Sequence, residues 1–598
     1  MKRFQLVVLV SAVAAGAIWW GFFRTHHTSS LAVASLLPKE TLAVVHVPDF
    51  NRSRADWHRT DLYQLWKEPA VQDFLAKPRA QVPTQGKIGH TVEEIDSIQM
   101  KDAFVALVAV EFSAWKWMGG FRSTGDPEKA EKTVENWRAQ LLGDGSDVKH
   151  DVADYQGHQI RIDNAGLLNL ATVRSGQWFF FANDVERLKV LIDRAEGRTK
   201  DPQTALSADD VFLGASKHMP GNYAGLIYAR VDQILEKMMP AAERSATSPD
   251  QLAMIRQIRS FCGTTTFDGG KMRDRLFVGM PKIADLGNLT RDSLSIATKD
   301  TFLYAASLLN LTKEMELAPQ ATTIGWLGGL RKITSALSAS GITLEEWKNA
   351  FAAEFGLLGN WPANTQWPSL FIALPVKDPA KAKTIVAAMT TGNADTDDEW
   401  THQEKEGVHY FSSASRAQLF SFSPTIGVSD RMLVAGADPG SVEAAMKRSA
   451  TGSSELAATR NFQTSERSVP TAHQAFAYVD PALIYTRIDA TLRPLLIMGA
   501  AFMPGIADTV DLNKLPPADV ITKHLSPIVM SQSYDRDGYV AESIGPVPLY
   551  QTILGAVTTG SAASAIYRRQ LQNSSPSQSP LMAPAVSPTP SPSPDDSP

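Results

Sequence analysis

The feature that most constrains the fold of this chain is a long internal duplication. Short segments recur in the same order, about 250 to 267 residues apart: residues 39–45 are echoed by 299–305, and Phe267-Asp268 by Tyr534-Asp535. Because surface loops tolerate changes in length, the drift in spacing is typical of loop insertions between related domains. The period far exceeds that of solenoid repeats, so the sequence predicts two tandem homologous domains. Coincidence among common strand and helix patterns is the alternative interpretation.

The domain boundaries follow from this duplication and from shifts in composition. We predict five segments, which are an N-terminal membrane anchor or signal peptide (1–28), a first α+β repeat domain (29–285), a second α+β repeat domain (286–547), a weakly apolar helix (548–570) and a Ser/Pro-rich tail (571–598). The tail is too poor in apolar residues to form a core, so we expect it to be disordered.

The order of strand and helix patterns predicts an α+β fold. Residues 41–47 are rich in β-branched side chains, as in a buried strand, and Gly269-Gly270 indicates a hairpin turn. Asp126-Pro127 and Asp378-Pro379 each open a helix, with aspartate as the cap and proline in the first turn. Residues 324–355 read as a further helical, Trp- and Gly-rich region. Helices between hairpins favour a mostly antiparallel sheet in each domain, with helices packed on one face.

The N-terminus is predicted to be a transmembrane anchor. Lys2 and Arg3 precede an uncharged apolar run, residues 4–23, which is long enough to cross a bilayer as a helix. Positive charge at its start predicts a cytoplasmic N-terminus and a periplasmic bulk, in a bacterial inner membrane. A cleaved signal peptide is the alternative, with cleavage after Ala34. A second span at 549–567 is conceivable, but its many polar residues favour a surface helix.

Composition excludes several classes of protein. The formal net charge is −5, and no basic stripe indicates a nucleic-acid partner. The single cysteine, Cys262, cannot form an internal disulfide, and we expect it to be a small buried hydrophobe.

The sequence contains no recognisable catalytic or cofactor motif. A nucleophile elbow, a Walker loop, a dinucleotide-binding glycine motif and a zinc-protease helix are all absent. His158 and His409 lie near the turns of corresponding hairpins, and exposed histidines are the favoured interpretation over metal ligands. We therefore predict a non-enzymatic protein with no cofactor and no metal.

Apolar helices after two corresponding strands offer a possible binding surface. Methionine-rich helices can line adaptable pockets for lipids or peptides, although ordinary core packing is the commoner role of such stripes. The candidate residues for an apolar ligand or partner are Met238, Met239, Met254, Leu495, Met498, Phe502 and Met503.

The segment 36–50, together with Trp57, Trp66 and Pro69, resembles the start of a family of uncharacterised bacterial proteins. These are exported, membrane-anchored proteins of unknown function, of the kind found in Planctomycetes, Verrucomicrobia and Acidobacteria. The resemblance implies a bacterial origin and an exported location, and it implies no activity, cofactor or site residue.

Three functional hypotheses follow. The first is a membrane-anchored periplasmic interaction or assembly module of the cell envelope, with an envelope protein as partner. The second is a carrier or binder of a lipid or other hydrophobic ligand, near Met238 and Leu495. The third is an enzyme whose site is not visible in the sequence.

Overall fold

The computed structural model describes most of the chain between Ser30 and Val547. The described residues are 30–80, 93–111, 114–142, 148–165, 168–199, 201–242, 257–282, 284–309, 340–391, 400–413, 423–495 and 511–547. The predicted anchor at 4–23, the helix at 548–570 and the tail at 571–598 lie outside them. Within the described part, no helix combines the length and apolar character needed to cross a bilayer. We call residues 30–285 the first half and residues 286–547 the second half.

The described residues form one antiparallel sheet of 20 strands with helices between its hairpins, which confirms the α+β class. The strands are Ala43–Asp49 (β1), Met100–Glu111 (β2), Ala114–Ser123 (β3), Lys149–Tyr155 (β4), His158–Ala165 (β5), Leu168–Ser175 (β6), Trp178–Ala182 (β7), Gly225–Ala229 (β8), Ser260–Asp268 (β9), Lys271–Gly279 (β10), Thr301–Leu308 (β11), Glu354–Asn360 (β12), Ser369–Pro375 (β13), Trp400–Lys405 (β14), Val408–Ser413 (β15), Thr425–Val428 (β16), Met432–Gly436 (β17), Ala475–Val479 (β18), Ile528–Asp535 (β19) and Gly538–Gly545 (β20).

The helices begin at local capping signals. Asp184, Asp438 and Asp480 each accept a hydrogen bond from a backbone N–H in the first turn. The helices are Ser30–Ala34 (α1), Phe50–Trp57 (α2), Asp61–Lys67 (α3), Pro69–Phe74 (α4), Ala76–Ala80 (α5), Pro127–Leu142 (α6), Val185–Ala195 (α7), Asp210–Ser216 (α8), Val231–Ala242 (α9), Leu344–Ala350 (α10), Pro379–Thr391 (α11), Pro439–Thr451 (α12), Arg460–Glu466 (α13), Pro481–Arg487 (α14) and Ala518–Thr522 (α15).

The strand order of the second half repeats that of the first. Across the first half the order is β4-β5-β6-β7-β3-β2-β1-β8-β9-β10. Across the second it is β14-β15-β16-β17-β13-β12-β11-β18-β19-β20. Each strand of the first half therefore has a counterpart ten strands later.

The two halves share one sheet because β10 pairs with its own counterpart, β20. The antiparallel register runs from Met272 opposite Gly545 to Gly279 opposite Gly538. Beyond it, Lys217 and His218 of the first half contact Asp537 in the β19–β20 turn. The sheet is thus continuous from edge strand β4 to edge strand β14.

Helices cover both faces of the outer part of each half, so the prediction of helices on one face is wrong there. In β7, Phe179 packs with Ala130 and Trp137 of α6, whereas Phe180 packs with Leu188 of α7. Neighbouring strand residues point to opposite faces, so α6 and α7 lie on opposite sides. The same holds in β17, where Leu433 belongs to the core of α11 and Val434 to that of α12. A strand that is apolar on both faces, such as Trp-Phe-Phe-Phe-Ala, needs cover on both sides.

Predictions of helix starts and hairpin turns are confirmed where a capping residue or a turn sequence defines the element. Helices start at Pro127 and Pro379, and a hairpin turns at Gly269-Gly270, as predicted. The helical region predicted for 324–355 is wrong at its end. Its first part lies outside the described residues, α10 ends at Ala350, and Glu354 already begins β12.

Candidate functional site

The two faces of the central strands differ in burial. In β1, Val44 and His46 are buried, while Val45 and Val47 are only half-buried. The face that carries Val44 packs against the main core of the first half. The opposite face is largely apolar and only partly covered, so it is a candidate surface for binding another molecule.

The half-buried face recurs in both halves with the same register. Val45 lies between Val105 of β2 and Ile227 of β8, and Ala305 lies between Leu357 of β12 and Ala477 of β18. We call the half-buried side chains of this face the apolar sheet surface, defined by Val45, Val105, Ile227, Phe261, Ala305, Leu357, Ala477 and Ile528. In the strand register, Val45, Val105, Ile227 and Phe261 of the first half correspond to Ala305, Leu357, Ala477 and Ile528 of the second half, in that order.

The centre of the same face is closed by polar side chains. The hydroxyl of Thr265 donates to Asp274 across β9 and β10 at 2.5 Å, and both residues are buried. The apolar sheet surface is therefore two regions, one in each half, separated by the β10–β20 joint.

The helices after β8 and β18 border these two regions. Helix α9 contacts β2 and β9, and α14 contacts β11. Met238 and Met239 are residues of α9. Leu495 lies in the helical segment after α14, and 36% of its surface is exposed. The structure thus brings the helices that carry these candidates beside corresponding strands. Met254, Met498, Phe502 and Met503 lie outside the described residues.

Exposed tryptophans mark two corresponding hairpins. Trp115, near the start of β3, is 42% exposed, and Trp367 and Leu370, around the start of β13, are each 51% exposed. An odd number of antiparallel pairings separates β2 from β12, so the two hairpin tips point to opposite ends of the sheet. These side chains form two separate patches.

A buried polar chain in the first half was not found from the sequence. Nδ1 of His46 lies 2.8 Å from the hydroxyl of Tyr223, and its Nε2 lies 3.8 Å from Oδ1 of Asp102. The second distance exceeds a hydrogen bond, and both atoms are buried without a hydrogen-bond partner. Arg122 holds the other carboxylate oxygen through two hydrogen bonds of 2.7 and 3.1 Å. The one signal for this site in the sequence was His46 itself, a histidine within a strand that is otherwise apolar.

This environment shifts two pKa values. Burial lowers the pKa of His46, and the nearby Asp102 carboxylate opposes that change only in part. For Asp102, burial would raise the pKa, but His46 and Arg122 together bring it below its ordinary value. Asp102 also has a positive φ of 46° at a bulge in β2, a conformation that costs free energy in a residue other than glycine.

The cavity beside His46 is very small. It is lined by apolar side chains, including Val44, Leu206 and Phe212, and has a volume of about 10 Å³. That is room for about one water molecule. Neither a substrate nor a lipid chain fits there, so this polar chain has no access to a ligand of that size.

The counterpart of Asp102 is a buried carboxylate with a structural role. Glu354, in the matching position of β12, accepts hydrogen bonds from Thr290, Asp292 and Ser293. It ties the loop before β11 to the sheet. Both halves therefore bury an acid at the same place, and only that of the first half lies beside a histidine.

The single cysteine is buried, as predicted. Cys262 is fully inaccessible, and burial raises its pKa to about 12. A protonated, inaccessible thiol is a poor nucleophile.

Comparisons with known proteins give no family for this chain. No family model matches it, and no curated protein matches it. Among solved structures, crystal forms III and I of TP0453 share 7% and 9% identity with it, over 43% and 44% of this chain and 83% of theirs. The TM-scores of 0.21 and 0.20 are too low to support any argument. The predicted family resemblance stays a prediction.

Proposed function

We propose that this protein is a non-enzymatic, membrane-anchored interaction or assembly module of the bacterial cell envelope. The observation that carries the proposal is the apolar sheet surface, which recurs in both halves at matching positions. An apolar surface that is half-covered in two places in the described part of the chain supports association with another molecule. The buried polar chain at His46 opens to a cavity of about 10 Å³, which speaks against a substrate site there.

The proposal includes two tandem homologous domains, 29–285 and 286–547. The repeated strand order supports this, and so does the agreement between sequence echoes and register. Val44 pairs with Tyr228, and their echoes Tyr304 and Tyr478 pair with each other. Descent from one ancestral unit explains both observations together.

The proposal places the bulk of the protein in the periplasm, held by a helix at residues 4–23 with a cytoplasmic N-terminus. The uncharged apolar run after Lys2 and Arg3 supports it. Fractionation of cells tests it, since an anchored protein stays with membranes in high salt. Recovery in the soluble periplasm with an N-terminus at Ser35 would refute the anchor and support cleavage.

Site-specific photocrosslinking in living cells tests the interaction role. Phe261 is replaced by p-benzoylphenylalanine on the apolar sheet surface, and Val152, 57% exposed on edge strand β4, is the matched control. We expect a discrete crosslinked protein from position 261 only. A Val105→Asp change in the same chain should abolish it, because a charge replaces an apolar contact. Equal crosslinking from both positions, or none from position 261, contradicts the proposal.

A hydrophobic ligand is the second candidate, favoured by the position of α9 with Met238 and Met239 beside the same surface. Native mass spectrometry of the full-length protein tests it. A lipid-sized extra mass that disappears in Val105→Asp supports a carrier, whereas a mass that persists belongs to the anchor segment. A clean mass, together with a protein crosslink, leaves the interaction module as the function.

A further inference from the structure

The hairpin β14–β15 places two histidines side by side at the edge of the sheet. His402 is opposite Phe411 and Glu404 is opposite His409, so His402 and His409 are diagonal neighbours on one face. Their rings stack with centroids 5.4 Å apart and planes at 27°. The ring of His402 also stacks on Phe411 at 4.7 Å, which fixes its orientation.

The stacking brings one ring nitrogen of each histidine to a distance that is compatible with binding of a shared metal ion. Nε2 of His402 lies 3.3 Å from Nδ1 of His409. Two nitrogens bound to one tetrahedral metal ion, at about 2.0–2.1 Å each, lie roughly 3.3–3.4 Å apart. A weak hydrogen bond between the rings is the other arrangement compatible with this distance.

Two charged groups lie near this pair of histidines, and the first is the ammonium of Lys383. The carboxylate of Glu404, with Oε2 at 3.4 Å from Nδ1 of His409, adds negative charge beside the pair.

We propose that His402 and His409 bind one divalent transition-metal ion of the kind that imidazole prefers, such as Zn²⁺, Ni²⁺ or Cu²⁺. The described residues hold no group of three or more histidine, cysteine or acidic side chains placed to bind a metal. Among the described residues, the site therefore has two protein ligands. Lys383 repels the cation and Glu404 attracts it, so the affinity is lower than that of a closed structural site.

The counterpart hairpin, β4–β5, provides the contrast. His158 uses both ring nitrogens, with Nε2 at 2.5 Å from Glu196 and Nδ1 at 3.3 Å from the carbonyl of Arg174. It has no second histidine beside it in the hairpin register. His158 is therefore the matched residue that should not contribute to metal binding.

Competition with a chromogenic chelator tests the site, using Zn²⁺ or Ni²⁺ and the full-length protein in detergent. His26→Ala and His27→Ala are combined as the background, because two adjacent histidines near the N-terminus are a second possible metal site. In this background we expect one ion per chain. His402→Ala and His409→Ala should each weaken binding at least tenfold, and His158→Ala should leave it unchanged.

The outcomes separate a metal site from a hydrogen bond. Binding that is lost in both His402→Ala and His409→Ala supports the proposal. Unchanged binding in His402→Ala, equal loss in His158→Ala, or no binding in the background protein overturns it. Far-ultraviolet circular dichroism of each variant checks that the fold is retained.

Discussion

Arg275 and Glu542 face each other at the joint between the halves, and each is the fifth residue of its strand. A residue of β10 thus pairs with its own counterpart in β20. This is the relationship that a two-fold axis produces at the centre of an isologous dimer contact. The joint therefore has the geometry of a dimer interface built into one chain.

Glu542 should be the most sensitive residue of this joint. It is buried, it forms an ion pair with Arg273, and its Oε2 lies 3.7 Å from Arg275. Loss of one partner of a buried ion pair costs about 3–5 kcal/mol. Since both guanidinium groups are partly exposed, solvent screening reduces the expected loss for Glu542→Ala to about 1–3 kcal/mol. Urea unfolding followed by circular dichroism measures it.

Glu443→Ala is the control for that experiment. Glu443 pairs with Lys405 and Lys447 on the surface of the second half, far from the joint in the strand order. Exposed pairs contribute little, so its unfolding curve should match that of the parent protein. Equal destabilisation by the two changes would contradict a special role for the joint.

Two corresponding tyrosines should respond in opposite ways to loss of the hydroxyl. Tyr228 is fully buried and its hydroxyl has no hydrogen-bond partner, whereas the hydroxyl of Tyr478 donates to Asp480 at 3.3 Å. Tyr228→Phe removes an unsatisfied polar group, so the free energy of unfolding should stay equal or rise by about 1 kcal/mol. Tyr478→Phe should lower it by about 0.5–1.5 kcal/mol. If Tyr228→Phe is the more destabilised variant, its hydroxyl has a partner in solution.

The sequence predicted the elements that local signals define. An aspartate followed by proline fixes the first turn of a helix through one side chain and one ring, as at Asp126-Pro127 and Asp378-Pro379. Such signals require no knowledge of distant residues. The class of the fold follows from their order.

The strand order and the polar chain depend on contacts between distant residues. The pairing of β10 with β20 depends on how the whole sheet is assembled, and the sequence of residues 271–279 does not indicate which strand will pair with it. His46 and Tyr223 are 177 residues apart in sequence. The apolar sheet surface was likewise hidden, because Val44 and Val45 are equally apolar in sequence and differ only in what covers them.

Cys262 should report unfolding of the first half. It is inaccessible, and its pKa is raised to about 12 by burial, so the folded protein should not react with iodoacetamide at pH 8. In 6 M urea, at an ordinary thiol pKa of about 8.5, labelling should go to completion. Mass spectrometry counts the added groups. Rapid labelling of the native protein would show that β9 opens readily.

The buried His46 should make stability depend on pH in the mildly acidic range. Its folded pKa lies below the ordinary value of about 6.5, so the unfolded chain takes up a proton at a pH where the folded one does not. The free energy of unfolding should therefore fall as the pH drops from about 6.5 to the lower folded pKa. Asp102 affects stability at lower pH. Because its pKa is lowered in the folded state, it stabilises the fold above about pH 3.8, and this stabilisation is lost as the pH falls further.

His46→Gln separates the histidine from every other group that titrates in this range. The groups that face His46 are Asp102, with Arg122 bound to it, and Tyr223, and all three remain in the variant. Unfolding in urea at pH 7.5 and 5.5 should show a smaller loss of stability for His46→Gln than for the parent protein. His473→Gln, at an exposed position, should behave like the parent. Equal pH dependence in all three proteins would contradict a lowered pKa of His46 in the folded state, because only a group whose pKa differs between the folded and unfolded states makes stability depend on pH.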